Sequence, residues 1–173
     1  MDVMSETARP AALGSGLYTG RGGLALLYER GYRYFGDREF LRSAEAAVQR
    51  ELILLGRGDA SAVGKHFALE GPSGMGQRAG ILAAFWAIGR HEGCGHHRDM
   101  VHTILDEITD RTVELDTAFD IISGSAGLMP LMMGMKREDP SFDHHELLIR
   151  PGEHLCRNSV PVDGTGLGLL LYT

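Results

Sequence analysis

Gly124-Ser-Ala-Gly127 runs directly into Leu128-Met-Pro-Leu-Met-Met133, two glycines three positions apart followed by an apolar helix. The same arrangement stands twice earlier in the chain. Gly20-Arg-Gly-Gly23 runs into Leu24-Ala-Leu-Leu-Tyr28, and Gly71-Pro-Ser-Gly74 leads, after a short polar step, into Ile81-Leu-Ala-Ala-Phe-Trp86. With the second glycine as marker, the starts are 51 (74 − 23) and 53 (127 − 74) residues apart, room for two helices and two connections. A fixed period of that length predicts a helical-hairpin repeat. A fourth, degenerate start is read at Gly164-Thr-Gly-Leu-Gly168, 41 residues further on (168 − 127), so the sequence given stops at Thr173 in mid-repeat.

Between the glycine starts the pattern changes. Asp37 can cap a helix carrying Phe40, Leu41, Ala44, Val48, Leu52 and Leu55 on one apolar face, with charge opposite. Val101, Ile104, Leu105, Ile108 and Leu115 form a second stripe on a helix predicted from about His97 to Leu115, with Asp99, Asp106, Glu107 and Asp110 toward solvent. A third such segment is read over Phe142 to Arg157, interrupted at Pro151. The helices after the glycines are apolar nearly all round, as buried helices are. Inner and outer helices therefore alternate. The predicted fold is all-α, a partial α/α toroid over residues 15–173, preceded by a flexible arm at 1–14.

Composition narrows the function classes. Charged residues at 23% and hydrophobic ones at 43% fit an ordinary globular chain. No apolar stretch reaches the roughly 18 to 20 residues of a spanning helix, and the N-terminus is acidic and polar where a signal peptide would be basic and then apolar. The expected address is cytoplasmic. Cys94 and Cys156 lie in no paired framework, in keeping with a reducing compartment. Seventeen basic against twenty-three acidic side chains, with no basic cluster, argue against nucleic acid. Glycine is the outlier, 24 of 173 and about twice its usual share. At the helix starts it serves either close packing or the exposure of backbone N–H groups toward a shared cavity, and the residues alone leave both open.

Two segments carry a resemblance to a known family. Leu17-Tyr-Thr-Gly-Arg-Gly-Gly-Leu-Ala-Leu-Leu-Tyr28 resembles the first inner helix, and Phe119-Asp-Ile-Ile-Ser-Gly-Ser-Ala-Gly-Leu128 the third, of the lanthionine synthetase C-like proteins. The resemblance implies a toroid of about seven hairpins, of which this sequence supplies three and a beginning. It also implies the family activity, zinc-dependent addition of a peptide cysteine thiol across a dehydrated serine or threonine, and thus a peptide or small thiol as partner. The metal is held by a Cys and a Cys-His pair in later repeats, so no cofactor is expected in this chain. Asp163-Gly164 stands where the family has His-Gly. The chain is therefore expected to be inactive alone, and to self-associate through an exposed repeat edge.

Asp120 corresponds to the family's active-site aspartate. Its place just ahead of a buried helix start favours an ionised carboxylate, suited to orienting a base or accepting a proton; an N-terminal structural anchor is the other reading. His91, Cys94, His96, His97, Asp99 and His102 fall within twelve positions and are read as solvated loop residues rather than a zinc site. His144-His145 are read as the polar first turn of an outer helix, and Met129, Met132, Met133 and Met135 as core, as are Phe85 and Trp86. Two other function classes stay open: a toroidal glycosidase or sugar epimerase using Glu70 and Asp120 as paired carboxylates, and a non-catalytic peptide- or thiol-binding module.

Overall fold

The computed structural model describes residues 16–18, 20–56, 65, 74–76, 78–162 and 166–169. The expected arm at 1–14, Glu70 and the Gly71-Pro-Ser73 segment lie outside them. The described chain is helical, with three inner helices, α1 (Arg21–Phe35), α3 (Arg78–Ile88) and α6 (Leu128–Glu138), and three main outer helices, α2 (Arg38–Gly56), α4 (His96–Asp106) and α7 (His145–Arg157). A short α5 (Asp110–Glu114) precedes the third repeat, and a 3-10 turn, Ser125–Gly127, opens α6. The α3 helix lies between α1 and α6; α2 packs on α1 and α3, α4 on α3, and α7 on α6. This is the all-α, partial α/α toroid that the alternating helix types predict.

Local chemistry explains the first hairpin. Gly36 takes the left-handed conformation (φ 73°) and donates its N–H to the Tyr32 carbonyl at 2.8 Å, closing α1. Asp37 then accepts the Glu39 N–H at 2.9 Å and opens α2. Leu41, Ala44, Val48 and Leu52 are buried, as their spacing predicts. They meet α3, in which nine of eleven residues are buried. Phe85 and Trp86 are core residues, as are Met132 and Met135, whereas Met133 is exposed.

Four local expectations are corrected. The predicted 97–115 helix breaks after Asp106, because Thr109 and Thr112 form a reciprocal capping box that starts α5; Leu115 is exposed. Pro151 does not interrupt the third outer helix: it sits buried inside α7 and only removes one donor from the ladder. The fourth glycine start is not a helix where it is described. Ser159–Val162 and Gly166–Leu169 form an antiparallel hairpin, β1 and β2, pairing Ser159 with Leu169 and Val162 with Gly166.

The fourth correction concerns the repeat itself. A methyl group at Gly23 would run into the Leu17 carbonyl, one at Gly127 into the Ile121 carbonyl, and one at Gly80 into the Met75 carbonyl. Gly80 is therefore the second repeat's counterpart of Gly23 and Gly127, in Gln77-Arg-Ala-Gly80, and the markers are 57 (80 − 23) and 47 (127 − 80) residues apart. Gly74 has a different part: its Cα lies 2.6 Å from where a Cβ of Gly127 would stand.

Candidate functional site

The loops that enter the inner helices are bonded to one another through their backbones. Leu17 N–H donates to the Met75 carbonyl at 3.1 Å, Met75 N–H to the Ile121 carbonyl at 2.9 Å, and Gly76 N–H to the Ile122 carbonyl at 2.8 Å. Only residues without side chains permit this approach, which is why glycine recurs here. The amides of Gly23, Gly76, Gly124 and Gly127 all donate to backbone carbonyls. The packing reading thus accounts for these amides, and none of the four is left pointing at a cavity.

Asp120 sits at the third of these loops. Its Oδ1 accepts the Ser123 N–H at 2.5 Å, which fixes the carboxyl across a turn, and the side chain is half-buried. Among the described residues no other partner holds it. The turn depends on the residue before it: Phe119 has φ 56°, a conformation that costs a non-glycine residue about 1 kcal/mol or more.

What holds Phe119 there is a buried knot that sequence reading missed. Asp116, 6% exposed, accepts the Ala118 N–H at 2.9 Å and the Phe119 N–H at 3.4 Å through Oδ1. Its Oδ2 accepts both the N–H and the hydroxyl of Ser125, at 2.7 and 2.5 Å. The buried His154 of α7 reaches the Asp116 carbonyl at 2.9 Å and stacks on the Phe119 ring with centroids 5.3 Å apart. Asp116 to Ser125 is thus one braced loop, and Asp120 rides on it. The available signal was Asp116 four residues ahead of Asp120, in a chain segment otherwise poor in charge.

The histidine cluster is not a solvated loop. His97 is buried against Phe85, with ring centroids 5.8 Å apart, and burial holds its imidazole below the ordinary range. His91 binds Glu29 at 3.0 Å, a carboxylate wholly buried in inner helix α1. His102 Nδ1 meets His144 Nε2 at 2.9 Å, so the two histidine groups of the sequence supply one partner each to a single contact. His96 is exposed, as expected.

The family's zinc finds no fit among these residues. Cys94 donates its thiol to Glu45 Oε1 at 3.3 Å, and burial together with that carboxylate pushes it up to about 11, away from the thiolate that zinc needs. Cys156 is exposed on α7. Among the described residues no group of three or more His, Cys, Asp or Glu side chains is arranged to hold a metal ion, and no helix is long and apolar enough to cross a membrane.

Comparison with known proteins bears on the family. No curated protein and no solved structure matches the chain. A family model described as lanthionine synthetase C-like protein matches residues 11–157, which takes in all three inner helices and the loop from Asp116 to Ser125. The chain belongs to the lanthionine synthetase C-like family.

Proposed function

We propose that this chain carries the acid-base portion of a peptide-modifying centre of the lanthionine synthetase C type, with Asp120 as its proton-handling carboxylate. The family reaction adds a cysteine thiol across a dehydrated serine or threonine, and a proton must leave the thiol and reach the peptide acceptor. A carboxylate suits that task when it is held in place yet keeps capacity to accept. The observation that carries the reading is the Asp120 turn. One oxygen is fixed by the Ser123 amide, the carboxyl is half-buried, and no cation among the described residues pairs with it.

The 173 residues by themselves are proposed to be inactive as a cyclase. Among the described residues Cys94, His91, His102 and His144 are engaged in structural contacts, and no trio of His, Cys, Asp or Glu is arranged for a metal.

The test is a fusion in which the later, metal-binding repeats of an active family member follow this chain. Cyclisation of a dehydrated peptide, followed by loss of alkylatable thiol, should appear in the fusion and not in the chain alone. Asp120→Asn in the fusion should lower the rate about a hundredfold, the scale of a positioned acid-base group. An Asp120→Asn fusion that keeps its rate and melts several degrees lower would make Asp120 a structural anchor.

A further inference from the structure

A hollow of about 270 Å³ lies over α3, flanked by α1 and α6 and touched by no outer helix. Small residues create it: Ala83 and Ala87 of α3 and Gly134 of α6 form its floor, with Leu26, Leu131 and Met135 around them. Gly134 has nothing within 4 Å of the place a Cβ would occupy, so the space there is open. Trp86 also lines the hollow and is held from two sides. Its indole N–H donates to Glu138 Oε2 at 3.0 Å, and the Arg98 guanidinium covers its ring at 4.4 Å. The apolar wall is therefore preformed.

The hollow has charge on its rim. Arg30, Arg90 and Glu138 line it. Glu138 is already satisfied within the protein, Oε2 by Trp86 and Oε1 by Arg90 at 3.3 Å. Each guanidinium has one carboxylate neighbour and keeps donors to spare. Arg30 is 65% exposed and, among the described residues, the carboxylate oxygen it pairs with, on Glu29, is 3.8 Å away, too far for a hydrogen bond. Arg90 uses one nitrogen on Glu138, and among the described residues nothing else accepts from it. An apolar slot rimmed by guanidinium donors in excess is complementary to an apolar group that bears a carboxylate. The volume limits its size, since about 300 Å³ is the lower end for small-molecule pockets. One or two apolar side chains fit.

We propose that this hollow binds the C-terminal end of a peptide, its last apolar side chain over Ala83, Ala87 and Gly134 and its terminal carboxylate on Arg30 and Arg90. The choice of a peptide over another apolar carboxylate rests on the peptide-modifying function proposed above. Asp120 does not line the hollow.

Trp86 is the chain's single tryptophan and lines the hollow, so its emission reports occupancy directly. The purified chain is titrated with N-acetyl-leucyl-leucine as the free acid, as its C-terminal amide, and with decanoate. The acid should give a saturable emission change, with the amide at least tenfold weaker. Gly134→Leu should abolish the response with an unchanged helical spectrum and a melt no lower than the parent's, and Arg30→Gln should weaken it about tenfold. The proposal is overturned if the amide binds as well as the acid, if Gly134→Leu binds like the parent, or if decanoate saturates the signal and the peptide does not. Sedimentation velocity supplies the remaining arm. A parent dimer that Gly134→Leu dissociates, with no peptide response, means a second copy covers the hollow, and overturns it too. None of these outcomes bears on Asp120, whose role is read from the fusion's rate.

Discussion

The Nδ1 of His102 lies 2.9 Å from the Nε2 of His144, and the contact joins outer helix α4 to the start of outer helix α7. Two imidazoles at that distance share one proton: one ring donates and the other accepts. Phe142 packs on both rings and Trp86 on His102, an enclosure that keeps water from relieving a second charge. Asp106, 3.8 Å from His144 Nδ1, is itself exposed and offsets little.

The contact makes stability depend on pH. Burial and the His102 charge hold His144 below its ordinary value, against the pull of Asp106 and Asp143. The unfolded chain therefore binds more protons than the folded one, and stability rises with pH through this range. The contribution is complete above about 6.5, the unfolded value, and is lost as pH falls through the lower folded value. Melts from pH 8 to pH 5 should fall more steeply for the parent than for His144→Gln, which can keep a hydrogen bond but takes no proton. Parallel curves for the two proteins would remove His144 from the account; the buried His97, shifted in the same direction, is present in both.

Two glycines of α6 and its entry should respond oppositely to alanine. At Gly127 the new methyl would collide with backbone on two sides, the Ile121 carbonyl and the Gly74 Cα, neither of which can swing away. A loss of about 3 kcal/mol or more is expected. At Gly134 the methyl meets nothing, and alanine's better helix propensity should raise stability by about 0.5 to 1 kcal/mol. Urea unfolding of both variants checks the pair.

The two aspartates of the third entry loop should also separate. Asp116→Asn turns an amide NH2 toward either Ser125 or the Ala118 amide, and leaves a buried donor facing a donor, at a cost of about 2 to 4 kcal/mol. Asp120→Asn keeps an oxygen for the Ser123 amide and should cost less than about 0.5 kcal/mol. Equal losses would mean that Asp120 is part of the knot. Chemical denaturation read by Trp86 emission gives both numbers.

The cysteines should label in two phases. Cys156 is exposed, whereas Cys94 is buried, donates to Glu45 and is pushed up to about 11. At pH 8 a disulfide reagent should find one fast thiol in the native chain, lost in Cys156→Ser, with the second reacting only on unfolding. Two fast thiols in the parent would show the Cys94 environment to be open.

Helices and their order were legible because burial follows period: Leu41, Ala44, Val48 and Leu52 advertise one face, and the segment from Ile81 to Ile88 has almost no polar face to show. The family was legible from Phe119 to Leu128, the loop that the Asp116 knot braces. What stayed hidden is pairing at a distance. Nothing local to His91 points to Glu29, 62 residues away, and nothing near His102 points to His144, 42 away, so the first cluster reads as a solvated loop and the second as the polar turn of a helix. The second repeat was misaligned for a different reason. Gln77 stands where the other repeats have their first glycine, and Gly74, three residues before it, imitates the motif while packing on Gly127.

The bonds that tie Leu17 to Met75 and Met75 to Ile121 involve only amides and carbonyls. Sequence drift can therefore exchange the side chains at 17, 75 and 121 without touching the connection between repeats, while Gly23, Gly80 and Gly127 tolerate no exchange. Two descendants of one ancestor could differ at nearly every visible position of these loops and still superimpose. Selection on this joint is recorded in the places where a side chain is missing, and a comparison that rewards shared side chains will understate the kinship of such chains.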